Sequence, residues 1–171
     1  LQSDLLGASA LGIGNVLCLS GDHQSFGDQP GARGVNDIDS IQLLYAARRM
    51  CEEKKILNSD STLTAAPDFF IGAACNPFAE PGDFRPLRLK KKVEAGARFI
   101  QTQCIYDLAA FREFMKRIVD MGLHEKAHIL AGVMPLKSAG MASFLNEKVS
   151  VVQSGVVLTF SHIDCIAHGI C

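Results

Sequence analysis

The chain has 171 residues, nearly half of them hydrophobic and a fifth charged, enough for one globular domain and too apolar for a disordered segment. Seventeen basic against eighteen acidic side chains leave a formal net charge of −1, which excludes a chain-wide basic field for nucleic acid or an anionic membrane. No apolar run reaches membrane-spanning length, Leu1 to Ala10 lacks the make-up of a signal peptide, and the six cysteines include no C-x-x-C pair, so a soluble protein of the reducing cytoplasm is expected.

Read in order, the chain alternates. Leu1 to Leu11 carries apolar residues at 1, 5, 6 and 10 and ends at Gly12, the pattern of a helix with a glycine stop. It starts without a cap, as though cut from something longer. Asn15 to Leu19 reads as a buried strand. Asp39-Ser40 caps a helix running to about Lys55, with Ile41, Leu44, Tyr45, Arg48 and Cys51 at helical spacing. After the polar loop Asn58 to Asp68 come a second strand, Phe69 to Cys75, closed by Asn76-Pro77, and a helix from Phe84 to Gly96. A third strand covers Phe99 to Cys104. Asp107 to Met121 is an amphipathic helix with Leu108, Phe111, Phe114, Met115 and Ile118 inward, and Gly122 ends it. His128 to Val133 is a fourth strand and Ser138 to Lys148 a weaker helix. Cys18, Cys75 and Cys104 fall inside strands, where a free thiol acts as a small hydrophobe.

Strands starting at 15, 69, 99 and 128 fit a repeating strand–helix unit and a parallel sheet. The fold class is therefore α/β, either a small open sheet or an incomplete (βα)8 barrel, the TIM architecture, whose full form takes roughly 250 residues. The uncapped start favours the incomplete barrel, with residues 1–148 as its domain. Residues 149–171 form an atypical tail: Val151-Val152 and Val156 to Phe160 read as strands. His162, Cys165, His168 and Cys171 crowd together, at a spacing too irregular for a zinc site.

The longest interval holds the most polar loop, Ser20 to Asp39, with glycines at 21, 27, 31 and 34. A carboxylate, Asp22, stands at the carboxyl end of an apolar strand and a long loop follows it, which is where α/β folds place ligand chemistry.

Several stretches then resemble one family. Leu1 to Ala8, the Leu19-Ser20-Gly21-Asp22 turn, Asp37-Ile38-Asp39-Ser40 and above all Lys92-Val93-Glu94-Ala95-Gly96-Ala97 through Thr102-Gln103 are similar to methylenetetrahydrofolate reductases over about residues 1–148. That resemblance implies a flavin-dependent (βα)8-barrel oxidoreductase of one-carbon metabolism and methionine biosynthesis. Its reaction reduces 5,10-methylenetetrahydrofolate to 5-methyltetrahydrofolate. Electrons come from NADH or NADPH through FAD, with FMN a possible substitute.

Carried onto this chain, the family's roles make Asp22 the catalytic carboxylate beside flavin and folate. Ser20, Gly21, Asp22, Asn36, Asp37, Asn76, Arg88 and Lys92 become cofactor-binding residues, and Asp22 and Gln103 substrate-binding ones. No metal is expected. Chemistry supports these roles: Lys92 supplies a point positive charge for a pyrophosphate, and Gln103 offers the acceptor and two donors that a pterin edge pairs with. Phe26, Phe78 and Tyr106 lie just past strand ends, where rings stack on aromatic ligands.

Each residue also has a plainer reading. Asp22 can be a turn residue, Lys92 part of the solvated Arg88 to Lys92 run, and His23 and His128 surface or satisfied core groups. Gln103 is the sharpest, because a polar side chain beside Thr102 at a strand's end needs partners.

The chain departs from the family in three respects. The first barrel units and their glutamate proton donor are absent, Asn36 replaces an aromatic before Asp37, and the sequence after Val149 looks foreign. The expectation is a partial reductase barrel with impaired activity alone, completed by a second copy or a complementing chain. The alternatives are a non-redox folate-binding barrel of methyl transfer and a non-catalytic α/β interaction module.

Overall fold

The computed structural model describes residues 1–148. The order of elements is α1 (Gln2–Ala10), β1 (Asn15–Cys18), α2 (Ser40–Glu52), β2 (Phe70–Cys75), α3 (Phe84–Ala95), β3 (Phe99–Cys104), α4 (Leu108–Asp120), β4 (His128–Gly132) and α5 (Ala139–Lys148). Each strand and helix read from the sequence up to Lys148 is present. The strands and cysteines expected after Val149 lie outside the described residues.

The four strands form one sheet in the order β1-β2-β3-β4. β1 pairs β2 in parallel, Asn15 opposite Phe70 and Cys18 opposite Ala73. A helix crosses over between each strand and the next, which keeps the whole sheet parallel. The order never reverses. A doubly wound sheet reverses at its switch point, whereas a (βα)8 barrel adds each strand beside the last, so these are successive barrel units.

Two compact units divide the described chain: residues 1–74 with 91–100, and 75–90 with 101 onward. In the first, Leu44, Ala47 and Met50 of α2 are fully buried, as are Ala73 of β2 and Ile100 of β3. Asp39 starts α2 with a capping box: its carboxylate accepts from the amides of Ile41 and Gln42, and Gln42 Oε1 accepts from the Asp39 amide. The buried face differs from the spacing read from large side chains. Tyr45 is 41% exposed, with the guanidiniums of Arg48 and Arg49 at 5.6 and 5.8 Å from its ring centre, while Ala46 and Ala47 are buried. Small residues let α2 lie close to its neighbours, and a pattern counted on bulky residues misses them.

α3 ends at Gly96, whose φ of +126° and whose approach to the Arg48 side chain both call for a residue without Cβ. On β2, Gly72 leaves room for the Phe99 ring, which stacks on Phe70 at 5.4 Å with the Arg98 guanidinium 5.1 Å from Phe70 on the same cluster.

In the second unit Leu89, Phe114, Ile118, Leu123 and Ala127 are buried. Asp107 caps α4 by accepting from the Ala110 amide. Phe114 and Ile118 face inward as expected, but Leu108 is 64% exposed, because it is the first residue of α4, ahead of its buried positions.

Candidate functional site

Ser20, Gly21 and Asp22 follow β1, Asn76 follows β2 and Gln103 lies near the end of β3, while Arg88 and Lys92 lie on α3. In the first unit β1 stops at Cys18. The Ser20 hydroxyl accepts from the backbone amide of Ser40, the first residue of α2, at 3.1 Å. That bond spans twenty residues and closes the long loop at its base, so Ser20 has a structural duty the sequence did not signal. Gly21 takes a left-handed φ of +74°, which turns the chain sharply and leaves Asp22 exposed to solvent just beyond it.

The loop itself contains a short 3-10 turn, Gln24–Phe26, capped by His23, whose Nδ1 accepts from the Ser25 amide. His23 is thus an exposed capping residue. Asn36 and Asp37 are exposed, as are Val35 and Ile38 beside them, Val35 to 78%. Phe26 lies in the 3-10 turn rather than directly at the end of β1.

Lys92 does not lie on a fully solvated face. It is half-buried, and its ammonium donates to the carbonyl of Ala74, near the end of β2, at 2.6 Å. The side chain is directed to the carboxyl end of a parallel strand, unlike its exposed neighbours Lys90 and Lys91. A cation held there raises the local positive potential at the end of β2.

In the second unit, Asn76 ends β2 with its Oδ1 accepting from the Phe78 amide at 3.0 Å, an Asx turn that opens the loop to α3. Arg88 is half-buried on α3. Gln103 stands exposed near the end of β3, opposite in face to the buried Thr102. Tyr106 donates its hydroxyl to the carbonyl of Met134 at 3.2 Å, and burial, with Cys104 beside it, pushes its phenol above the ordinary value.

A recess of about 290 Å³ opens between the β2–α3 loop and α4, lined by Phe78, Pro86, Phe114 and the acidic Glu80 and Glu113. Arg85 ties this loop by donating to the carbonyls of Ala79 and Glu80. Of the residues predicted to meet a ligand, Phe78 lines the recess, while Asn76, Arg88, Gln103 and Tyr106 do not. Its walls come from segments thirty residues apart, which no local motif announces.

Among the described residues, Cys18, Cys51, Cys75 and Cys104 are free thiols, no cluster of three or more His, Cys, Asp or Glu is arranged for a metal, and no helix is long and apolar enough to cross a membrane.

Comparison with known proteins shows what the chain is similar to. The chain is 27% identical over 139 residues to the 5,10-methylenetetrahydrofolate reductase of Salmonella typhimurium, covering 81% of this chain and 42% of that protein. It is 26% identical over 125 residues to the enzymes of that name from Escherichia coli and Shigella flexneri, covering 73% of this chain and 38% of each. The chain thus spans about two fifths of the length of these relatives. The family model described as methylenetetrahydrofolate reductase matches residues 1–156, past Val149, where the tail reads as foreign. The chain therefore belongs to the methylenetetrahydrofolate reductase family.

Proposed function

We propose that this chain carries a flavin- and folate-binding portion of an oxidoreductase that reduces 5,10-methylenetetrahydrofolate to 5-methyltetrahydrofolate, with FAD as cofactor and NADH or NADPH as donor, in the cytoplasm. The observation that carries the reading is Lys92. A half-buried ammonium at the carboxyl end of β2, in a chain of this family, is the donor that an anionic dinucleotide requires. Asp22 and Gln103, each exposed past or near the end of its own strand, supply the remaining chemistry.

The donor set suits FAD: Lys92 and Arg88 for phosphate charge, and the Gly21 turn, which has no Cβ to obstruct a flat ring. When bound, FAD supplies the hydride-transfer capacity that no side chain has. Asp22 opposes build-up of negative charge on the cofactor and steadies a cationic substrate. Gln103 presents one acceptor and two donors to the pterin edge and so orients it.

The test is a titration of the FAD-loaded chain with 5-methyltetrahydrofolate, followed by the flavin absorption. The reading expects a saturable perturbation that Gln103→Ala weakens about ten-fold, the loss of roughly one good hydrogen-bond pair. A folded, flavin-loaded chain whose spectrum ignores the folate would contradict it. Steady NADH oxidation by these 171 residues alone is expected to be negligible. Turnover at the rate of a complete enzyme would overturn that part.

A further inference from the structure

We infer that Thr102 is a positioning residue, holding Gln103 in the geometry its ligand needs. The inference rests on the reading of Gln103 as the pterin contact.

Thr102 is 5% exposed on β3, and Gln103 beside it projects from the opposite face. A buried hydroxyl must be satisfied, and this one is satisfied twice. Its oxygen accepts from the amide of Gly132 on β4 at 2.9 Å. Its hydrogen is donated to the carbonyl of Gln103 itself, also at 2.9 Å. One side chain therefore links the peptide that carries Gln103 to the neighbouring strand.

The opposite side of the clamp is as constrained. A Cβ on Gly132 would sit 2.6 Å from the Thr102 carbonyl oxygen and 3.0 Å from that of Gln103, both backbone atoms that cannot swing away. Only glycine allows β4 to come this close. The Ile105 amide donates to the Gly132 carbonyl at 2.9 Å, and the Tyr106 hydroxyl reaches Met134 two residues on. Residues 102–106 are thereby fixed to 132–134 at successive points, while the Gln103 amide group stays exposed on the other face. A recognition side chain on an immobilised backbone loses less entropy when it binds, and that preorganisation is what the clamp provides.

Thr102→Val keeps the shape and removes both hydrogen bonds, whereas Thr102→Ser keeps the hydroxyl. In the ligand-free, isotope-labelled chain, Thr102→Val is expected to speed amide exchange at Gly132 about ten-fold and to shift the Gln103 signals, with both returned to wild-type values in Thr102→Ser. Folate affinity is expected to follow the same order, weakened about ten-fold in the valine variant and restored in the serine one. Gly132→Ala, which presses on the same carbonyls, is expected to move the Gln103 signals too and serves if the valine variant does not fold.

Unchanged Gln103 signals and Gly132 exchange in a folded Thr102→Val, or no rescue by serine, would overturn the inference. A wild-type chain that binds no folate but shows the Thr102 effects on Gln103 would instead overturn the functional reading and leave the clamp standing.

Discussion

Cys18 shows how far burial alone changes a residue's chemistry. At 2% exposure its thiol is pushed up to about 11, from an ordinary 9.0, by desolvation of the thiolate. The folded state holds the neutral form, so the stability this confers is complete below pH 9 and is lost as pH rises from about 9 toward 11, where the unfolded thiol ionises first. Unfolding free energy measured by denaturant titration across that range should fall more steeply in the wild type than in Cys18→Ala. The burial of Cys18 was legible in its apolar run, since a thiol there packs as a hydrophobe. Lys92 was not: within Arg88 to Lys92 nothing distinguishes the lysine that turns to the Ala74 carbonyl from those left in solvent. Its direction depends on where α3 ends over β2, a tertiary fact. Lys92→Met is expected to weaken FAD binding by an order of magnitude or about 1–3 kcal/mol, the scale of a hydrogen bond to a charged group, as read by equilibrium dialysis. Asp22→Asn, at an exposed position, should leave thermal stability within about 0.5 kcal/mol while changing flavin or folate affinity.

Helices and strands were the most legible level, because each carries its own punctuation. Asp39 with Gln42 marks the start of α2, Gly96 the end of α3, and Gly122 follows the end of α4. Asp39→Ala removes the acceptor for two amides and should cost about 1 kcal/mol of stability by chemical denaturation. What the pattern concealed was the set of close approaches. Gly72→Ala would drive a methyl into the Phe99 ring, displacing the Phe70–Phe99 stack and costing about 1–3 kcal/mol. A Phe99→Leu background should recover part of that loss. Tyr45, counted at the helical spacing of Ile41 and Leu44, is found exposed beside two arginines, which the spacing did not reveal. Periodicity reports which residues are apolar, but the approach of a helix is set by its alanines.

For the whole chain, the four strands in unbroken order fit the family match, as successive units of a (βα)8 barrel. Strand order itself was not legible, since spacing alone left an open sheet and a barrel segment equally available. The candidate site was legible through its motifs but not through its supports, the Ser20–Ser40 bond and the Thr102–Gly132 clamp, which join residues 20 and 30 positions apart. The central claim is that these residues form a flavin site, and an absorption spectrum after incubation with FAD and exhaustive dialysis tests it most directly. A retained band at about 450 nm, diminished in Lys92→Met, is the predicted result. A folded chain that emerges colourless would contradict the account.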